Sequence, residues 1–144
     1  LNFFKKTSKN YKKHSIGKKA ERLFVMQENG VNVPHLFCVN EIPDQTDLLN
    51  FLPDSGEFSV RSSAFCEDSK DLSFAGQFDS YLFVKRDKVL DRIRDCFASS
   101  KKECVKSYCK ENGIDSSNLK MTVIVQKMIR ADFSGVLFSA NPQA

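Results

Sequence analysis

Arg61 is the residue with the sharpest chemical meaning in this chain. It lies in "EFSVRSSA", whose β-branched and aromatic residues predict a strand. A strand among hydrophobic surroundings excludes a guanidinium unless an anion or a carboxylate pairs with it, because an uncompensated charge is costly to desolvate. Directly after it comes "FCEDSKDLSFAGQ", which holds Glu67, Asp68, Ser69, Asp71 and Ser73 and closes on Phe74, Ala75 and Gly76. A loop this polar, ending on a glycine beside small residues, can bring main-chain N–H groups against an anion. The competing reading of Arg61 is an internal ion pair with Glu67 or Asp68. Neither G-x-x-x-x-G-K-S/T nor G-x-G-x-x-G occurs, so the two common phosphate fingerprints do not apply.

A second cation stands in "IGKKAERL". Lys19 falls in the first turn of a predicted helix, where the N-terminal amides and the macrodipole already favour an anion. A lysine there is electrostatically misplaced unless something negative binds; a plain surface lysine is the alternative. The two histidines, His14 and His35, are too few and too scattered for a metal cage, and no metal ligand is assigned. The cysteines Cys38, Cys66, Cys96, Cys104 and Cys109 are odd in number and form no C-x-x-C pair. That pattern fits reduced thiols in a cytosol better than a disulfide framework.

The elements that must position these residues follow from periodicity and turn signals. Helical spacing runs from Ile16 to Glu28, with Ser15 as the candidate N-cap and Gly30 as the stop. "VNVPHLFCVN" reads as a turn into a short strand, and "DQTDLLNFL" as a short helix capped by an acid or threonine. "EFSVRSSA" and "FDSYLFV" are strands on either side of the polar stretch. The longest helix is expected over residues 87–110, with Val89, Leu90, Ile93, Cys96, Phe97, Cys104, Val105 and Tyr108 inward and a weak "FASSKKE" middle. "MTVIVQKMI" and "SGVLFSA" read as two strands joined by "RADF" in a hairpin. The order predicts a mixed α/β or α+β domain.

With 144 residues, 41% of them hydrophobic, the chain can bury one real core. It begins without a methionine and stops soon after "VLFSANP", and is read as a piece of a longer protein. The net charge of +4 derives mainly from the lysine-rich, acid-free stretch between Lys5 and Lys19. Residues 1–15 are therefore expected to be a solvated basic arm. No aromatic interleaving follows that would stack bases, which argues against a nucleic-acid partner. No apolar run reaches the roughly 18 to 20 residues of a membrane span, so a soluble, cytoplasmic protein is expected.

"VRSSAFCEDSKDLSFAGQFDSYLFV", with "IGKKAERL", "GVNVPHLFCV", "VIVQKMI" and "SGVLFSANP", resembles the N-terminal nucleotide-binding domain of the phosphoenolpyruvate synthase and pyruvate phosphate dikinase family. The motifs fall in the family's order from about residue 16 to 142. The resemblance implies that residues 16–144 are the first part of an ATP-grasp-like nucleotide-binding domain whose second half is missing. The polar stretch would then be a lid over the phosphates of ATP. Carried over by position, Lys19 and Arg61 are implied to bind phosphate and to serve catalysis. Gly76 matches the lid glycine, Ser80 stands where the family has a nucleotide-contacting threonine, and Gln126 matches the glutamine of the "VQ-x-M" strand. The family's Gly-Gly-Lys is Gly17-Lys18-Lys19 here, which leaves Lys18 or Lys19 to face the ligand.

The resemblance further implies Mg2+ held by residues outside the chain. It implies a dikinase-type phosphotransferase that converts ATP to AMP and passes a phosphoryl group through a histidine elsewhere to pyruvate. The 144 residues alone would then be inactive. An antibiotic- or glucan-phosphorylating dikinase of the same family, and a non-catalytic interaction module on this fold, are the alternatives.

Overall fold

A computed structural model describes residues 16–64, 78–113, 115, 120–137 and 140, with the backbone alone of residues 3–4, 68–69 and 72–73. The strands β1 (Phe3–Phe4), β2 (Leu36–Val39), β3 (Glu57–Ala64), β6 (Ser80–Lys85) and β7 (Met121–Lys127) form one sheet in the order β1-β2-β7-β3-β6. Every neighbouring pair in it is antiparallel. Two further strands, β4 (Asp68–Ser69) and β5 (Leu72–Ser73), pair only with each other between β3 and β6. The helices are α1 (Lys18–Glu28), α2 (Gln45–Phe51), α3 (Val89–Ser99) and α4 (Glu103–Glu111). This is the mixed α/β class that the sequence predicts.

Side chains opposite one another in an antiparallel pair share a face, so the register assigns the two sides of the sheet. Phe58, Val60, Ser62 and Ala64 lie opposite Lys127, Val125, Val123 and Met121. On this side Val60, Phe58, Val123 and Val125 pack with Val89, Ile93 and Cys96 of α3 in the larger core. The spacing of those three α3 residues, four and then three positions, puts them on one helical stripe. The outer face of α3 carries i,i+3 ion pairs such as Arg92–Asp95 at 2.7 Å. Burying such an aliphatic or aromatic side chain stabilises by about 1.5–3 kcal/mol.

The other side of the sheet presents Ser59, Arg61 and Ser63 of β3 with Gln126, Ile124 and Thr122 of β7. Here α1 packs Ala20 and Phe24 against Leu36, Cys38 and Ile124. The side under α3 is thus mainly apolar, with Ser62 buried in it, whereas the other mixes an apolar patch under α1 with polar groups beside it.

Three expectations need correction. Residues 87–110 are not one helix. A 3-10 turn at Arg86–Lys88 leads into α3, and the chain breaks over residues 100–102 before α4. Ser99 Oγ donates to the Cys96 carbonyl at 2.6 Å and Ser100 Oγ to the Phe97 carbonyl at 2.8 Å. Such back-bonding competes with the helical ladder, and Lys102 is extended at φ −62°, ψ 145°. The new phase of α4 buries Val105 and Cys109 and leaves Cys104 exposed.

Among the described residues the expected hairpin after β7 does not form. β7 is flanked by β2 on one edge and β3 on the other, so neither edge is left for a following strand. Among the described residues 128–137 form no strand, and Phe133 and Leu137 are 96% and 97% exposed.

The start of α1 differs too. The N-cap position is Gly17, two residues later than expected. Ser15 lies outside the described residues. At α2, Asp44 occupies the N-cap position but its side chain makes no capping bond.

Candidate nucleotide-binding face

The local logic of the site begins at "RSSA". Alternation sends Ser62 to the α3 side and Arg61 and Ser63 to the α1 side. Ser63 Oγ accepts from the Ala20 amide at 3.1 Å and donates to the Ile16 carbonyl at 3.2 Å. A serine more than forty residues away thus caps α1, where the local N-cap residue has no side chain to do so. The close approach explains Gly17. Its φ is +72°, and a Cβ there would sit 2.5 Å from the Ser63 carbonyl oxygen and 2.5 Å from Ser63 Oγ. Glycine is the residue that meets both demands.

This docking fixes the two lysines in opposite directions. Lys18 runs outward to Glu21, at 3.8 Å, with about half its side chain exposed. Lys19 turns back over the sheet, and its Nζ donates to the Ser62 carbonyl at 3.2 Å, one residue beyond Arg61.

Arg61 is half-buried, and its Nη2 donates to Gln126 Oε1 at 2.8 Å. Gln126 Nε2 in turn donates to the Pro34 carbonyl at 3.4 Å, and the glutamine is 8% exposed. Ser80, on the edge strand β6, lies directly opposite Arg61 in register and is exposed. Arg61, Ser80 and Gln126 therefore share the α1 side of the sheet, with the Lys19 ammonium at its margin. Gly76 lies outside the described residues, as do the side chains of Glu67 and Asp68, the expected internal partners of Arg61.

The positive charge reaches into the core beneath. Burial pushes the Cys38 thiol far above its ordinary range, and the nearby Arg61 guanidinium acts in the opposite direction. Cys38, Ile124, Arg61 and Ser80 form one row across four strands, apolar on β2 and β7 and polar on β3 and the edge strand β6. Among the described residues no group of three or more His, Cys, Asp or Glu could hold a metal ion. No described helix is long and apolar enough to cross a membrane.

Two contributors were missed from sequence. Ser63 sits beside Ser62 with no motif to mark it, and the two-residue alternation of a strand is the signal that separates the two. Asp79 carries no motif signal. Its carboxylate accepts from Lys102 Nζ at 2.6 Å and from the Tyr81 hydroxyl at 3.1 Å, behind Ser80.

Fold and site together define an α/β protein that presents an arginine, a lysine, a glutamine and a serine along one side of an antiparallel sheet. Residues 41–144 match the family described as pyruvate phosphate dikinase, AMP/ATP-binding domain, and the chain belongs to that family. The resemblance in the motifs is thereby borne out, and the fold is consistent with the ATP-grasp-like nucleotide-binding class.

Among curated relatives, a rifampicin phosphotransferase of Bacillus cereus is 35% identical over 105 residues, 72% of this chain and 12% of the relative. A probable phosphoenolpyruvate synthase of Pyrococcus horikoshii is 42% identical over 85 residues, 58% of this chain and 10% of the relative. A rifampicin phosphotransferase of Streptomyces sviceus is 45% identical over 92 residues, 61% of this chain and 11% of the relative. The chain thus spans about a tenth of the length of these relatives. Arg61, Gly76, Ser80 and Gln126 fall inside the family match, whereas Lys19 precedes it.

Proposed function

We propose that the chain supplies one wall of the ATP site of a dikinase-type phosphotransferase, with the phosphates lying against Arg61 and Lys19. The observation that carries this reading is the convergence of Arg61, Gln126 and Ser80 on one side of the sheet, beside a lysine held by β3. In phosphoryl transfer, positioning and charge neutralisation supply most of the rate. Arg61 offers a planar fork of donors suited to phosphate. Gln126 fixes the direction of that fork, and Ser80 adds a hydroxyl at the exposed edge. Lys19 rather than Lys18 fits the second cation, because Lys18 is turned to solvent and paired with Glu21. Gly76 is assigned the close approach of the polar segment to the phosphates.

In this reading residues 16–144 are the first part of the nucleotide-binding domain, preceded by a basic arm over residues 1–15, in a cytoplasmic protein. Mg2+ is held by residues elsewhere, and a histidine elsewhere carries the phosphoryl group to its acceptor. Pyruvate is the proposed acceptor. The names of the relatives include both phosphoenolpyruvate synthases and rifampicin phosphotransferases, so an antibiotic is the second candidate. ATP-dependent product formation by the whole protein tests the class. Release of AMP together with a phosphorylated histidine is expected, the other phosphoryl group going to water or to phosphate, and ADP as the sole nucleotide product would contradict it.

A further inference from the structure

We infer that Asp79 is a positioning residue for the Lys19–Arg61–Ser80 face, an inference that rests on the nucleotide-binding reading above. Asp79 directly precedes Ser80 at the start of β6, and the polar groups of both its main chain and its side chain are engaged. Its carbonyl accepts from the Ser62 amide at 3.3 Å, from Ser62 Oγ at 3.0 Å and from Cys96 Sγ at 3.6 Å. Its amide donates to Ser99 Oγ at 3.5 Å, and Ser99 is fully buried. Its carboxylate takes Lys102 on one oxygen and the Tyr81 hydroxyl on the other.

These bonds join four elements at one residue. Lys102 begins α4, Ser99 and Cys96 end α3, Tyr81 belongs to β6, and Ser62 belongs to β3. Ser62 is also the residue whose carbonyl receives Lys19. Asp79 therefore holds both supports of the face, the strand position under Lys19 and the strand position opposite Arg61. The Tyr81 ring is clamped from outside by the Arg92 guanidinium, 4.7 Å from its centroid. The Lys102 ammonium is held above its ordinary pKa chiefly by the hydrogen bond to Asp79, consistent with a formed ion pair. Asp79 is assigned no contact with the nucleotide; it acts through Ser62 and Ser80.

The test measures the dissociation constant of ATP for the whole protein, with its thermal midpoint, in Asp79→Ala, Asp79→Asn, Lys102→Ala, Lys106→Ala and Arg61→Ala. Asp79→Ala should weaken ATP binding about tenfold, and Asp79→Asn, which keeps an acceptor, less. Lys102→Ala should weaken it about threefold, the scale of an exposed ion pair, with the midpoint nearly unchanged. Lys106→Ala, an equally exposed lysine of α4 paired with Glu103, should bind ATP as the unaltered protein does. Lys102 is half exposed, so that variant decides the matter should Asp79→Ala fail to fold. Unchanged ATP affinity in Lys102→Ala and Asp79→Asn, with Arg61→Ala impaired, overturns the positioning role and leaves the nucleotide reading standing. Unchanged affinity in Arg61→Ala as well removes the nucleotide reading itself.

Discussion

Arg61 Nη2 donates to Gln126 Oε1 at 2.8 Å, joining β3 to β7 across 65 residues of sequence on the α1 side of the sheet. The bond makes Gln126 the residue that aims the guanidinium, while Pro34 anchors Gln126 from β2's approach.

Changing the acceptor should therefore change the ligand's affinity without unfolding the protein. Gln126→Glu converts the bond into a charge-assisted pair, which is shorter and stronger. ATP then competes with an internal carboxylate for Arg61. Binding by the whole protein should fall about tenfold or more, while the denaturation midpoint falls only by what the lost bond to the Pro34 carbonyl is worth, about 1 kcal/mol, the two being readable by calorimetry and urea titration.

The junction of α1 with β3 offers a test on stability. Gly17→Ala places a Cβ 2.5 Å from a main-chain oxygen and in a left-handed conformation. Neither strain can be relieved by a side-chain rotation, so a loss of about 2 kcal/mol or more in unfolding free energy is expected. Ser63→Ala removes the distant cap and should cost about 1 kcal/mol. A Gly17→Ala protein as stable as the original would mean that α1 is not docked as described.

Thiol chemistry separates the cysteines. Cys104 is exposed, whereas burial pushes the Cys96 thiol up to about 11 and the Cys38 thiol higher still. A thiol reagent at pH 8 should label Cys104 in the folded chain and reach Cys38 and Cys96 only after unfolding, as mass spectrometry would reveal. The linkage has a definite sign. The ordinary thiol value is 9.0 and Cys96 titrates near 11 when folded, so the unfolded state loses its proton first. The stability contributed by this burial is complete below pH 9 and is lost as pH rises through 11. Urea midpoints should fall between pH 9 and pH 11 less steeply in Cys96→Val.

A chain that supplies one wall of a cleft should bind its ligand weakly by itself. Calorimetric titration of the 144 residues with ATP should give a dissociation constant above about 1 mM, near −4 kcal/mol. Micromolar affinity would show that the described face is a complete site.

Much of this architecture was legible locally. β3 matches "EFSVRSSA" residue for residue, and β2, α2 and β6 fall where turn signals and β-branched runs placed them. Lys19, Arg61, Ser80 and Gln126 are the residues that the family resemblance picks out, and the structure brings them to one side of the sheet. What local pattern could not carry was competition between distant parts. Helical spacing continues through Ser99 and Ser100, and the break there follows from hydroxyls that bond back to carbonyls in this context. "SGVLFSA" has strand composition, yet a strand needs a free edge and β7 offers none. The cap of α1 was sought at Ser15, whereas Ser63 supplies it through a tertiary contact.

The most direct measurement of the central claim is ATP-dependent formation of AMP by the whole protein and by its Arg61→Ala variant. Arg61 is half-buried, bonded to Gln126 and opposite Ser80 in register on the α1 side of the sheet. Removing a preorganised, charge-assisted donor from a phosphoryl-transfer site should cost about 2–4 kcal/mol in transition-state stabilisation, a loss of about thirtyfold to a thousandfold. Gln126→Ala should reproduce a smaller part of that loss. A rate for Arg61→Ala within about threefold of the original, less than about 1 kcal/mol, would contradict the assignment of this face to the phosphates of ATP.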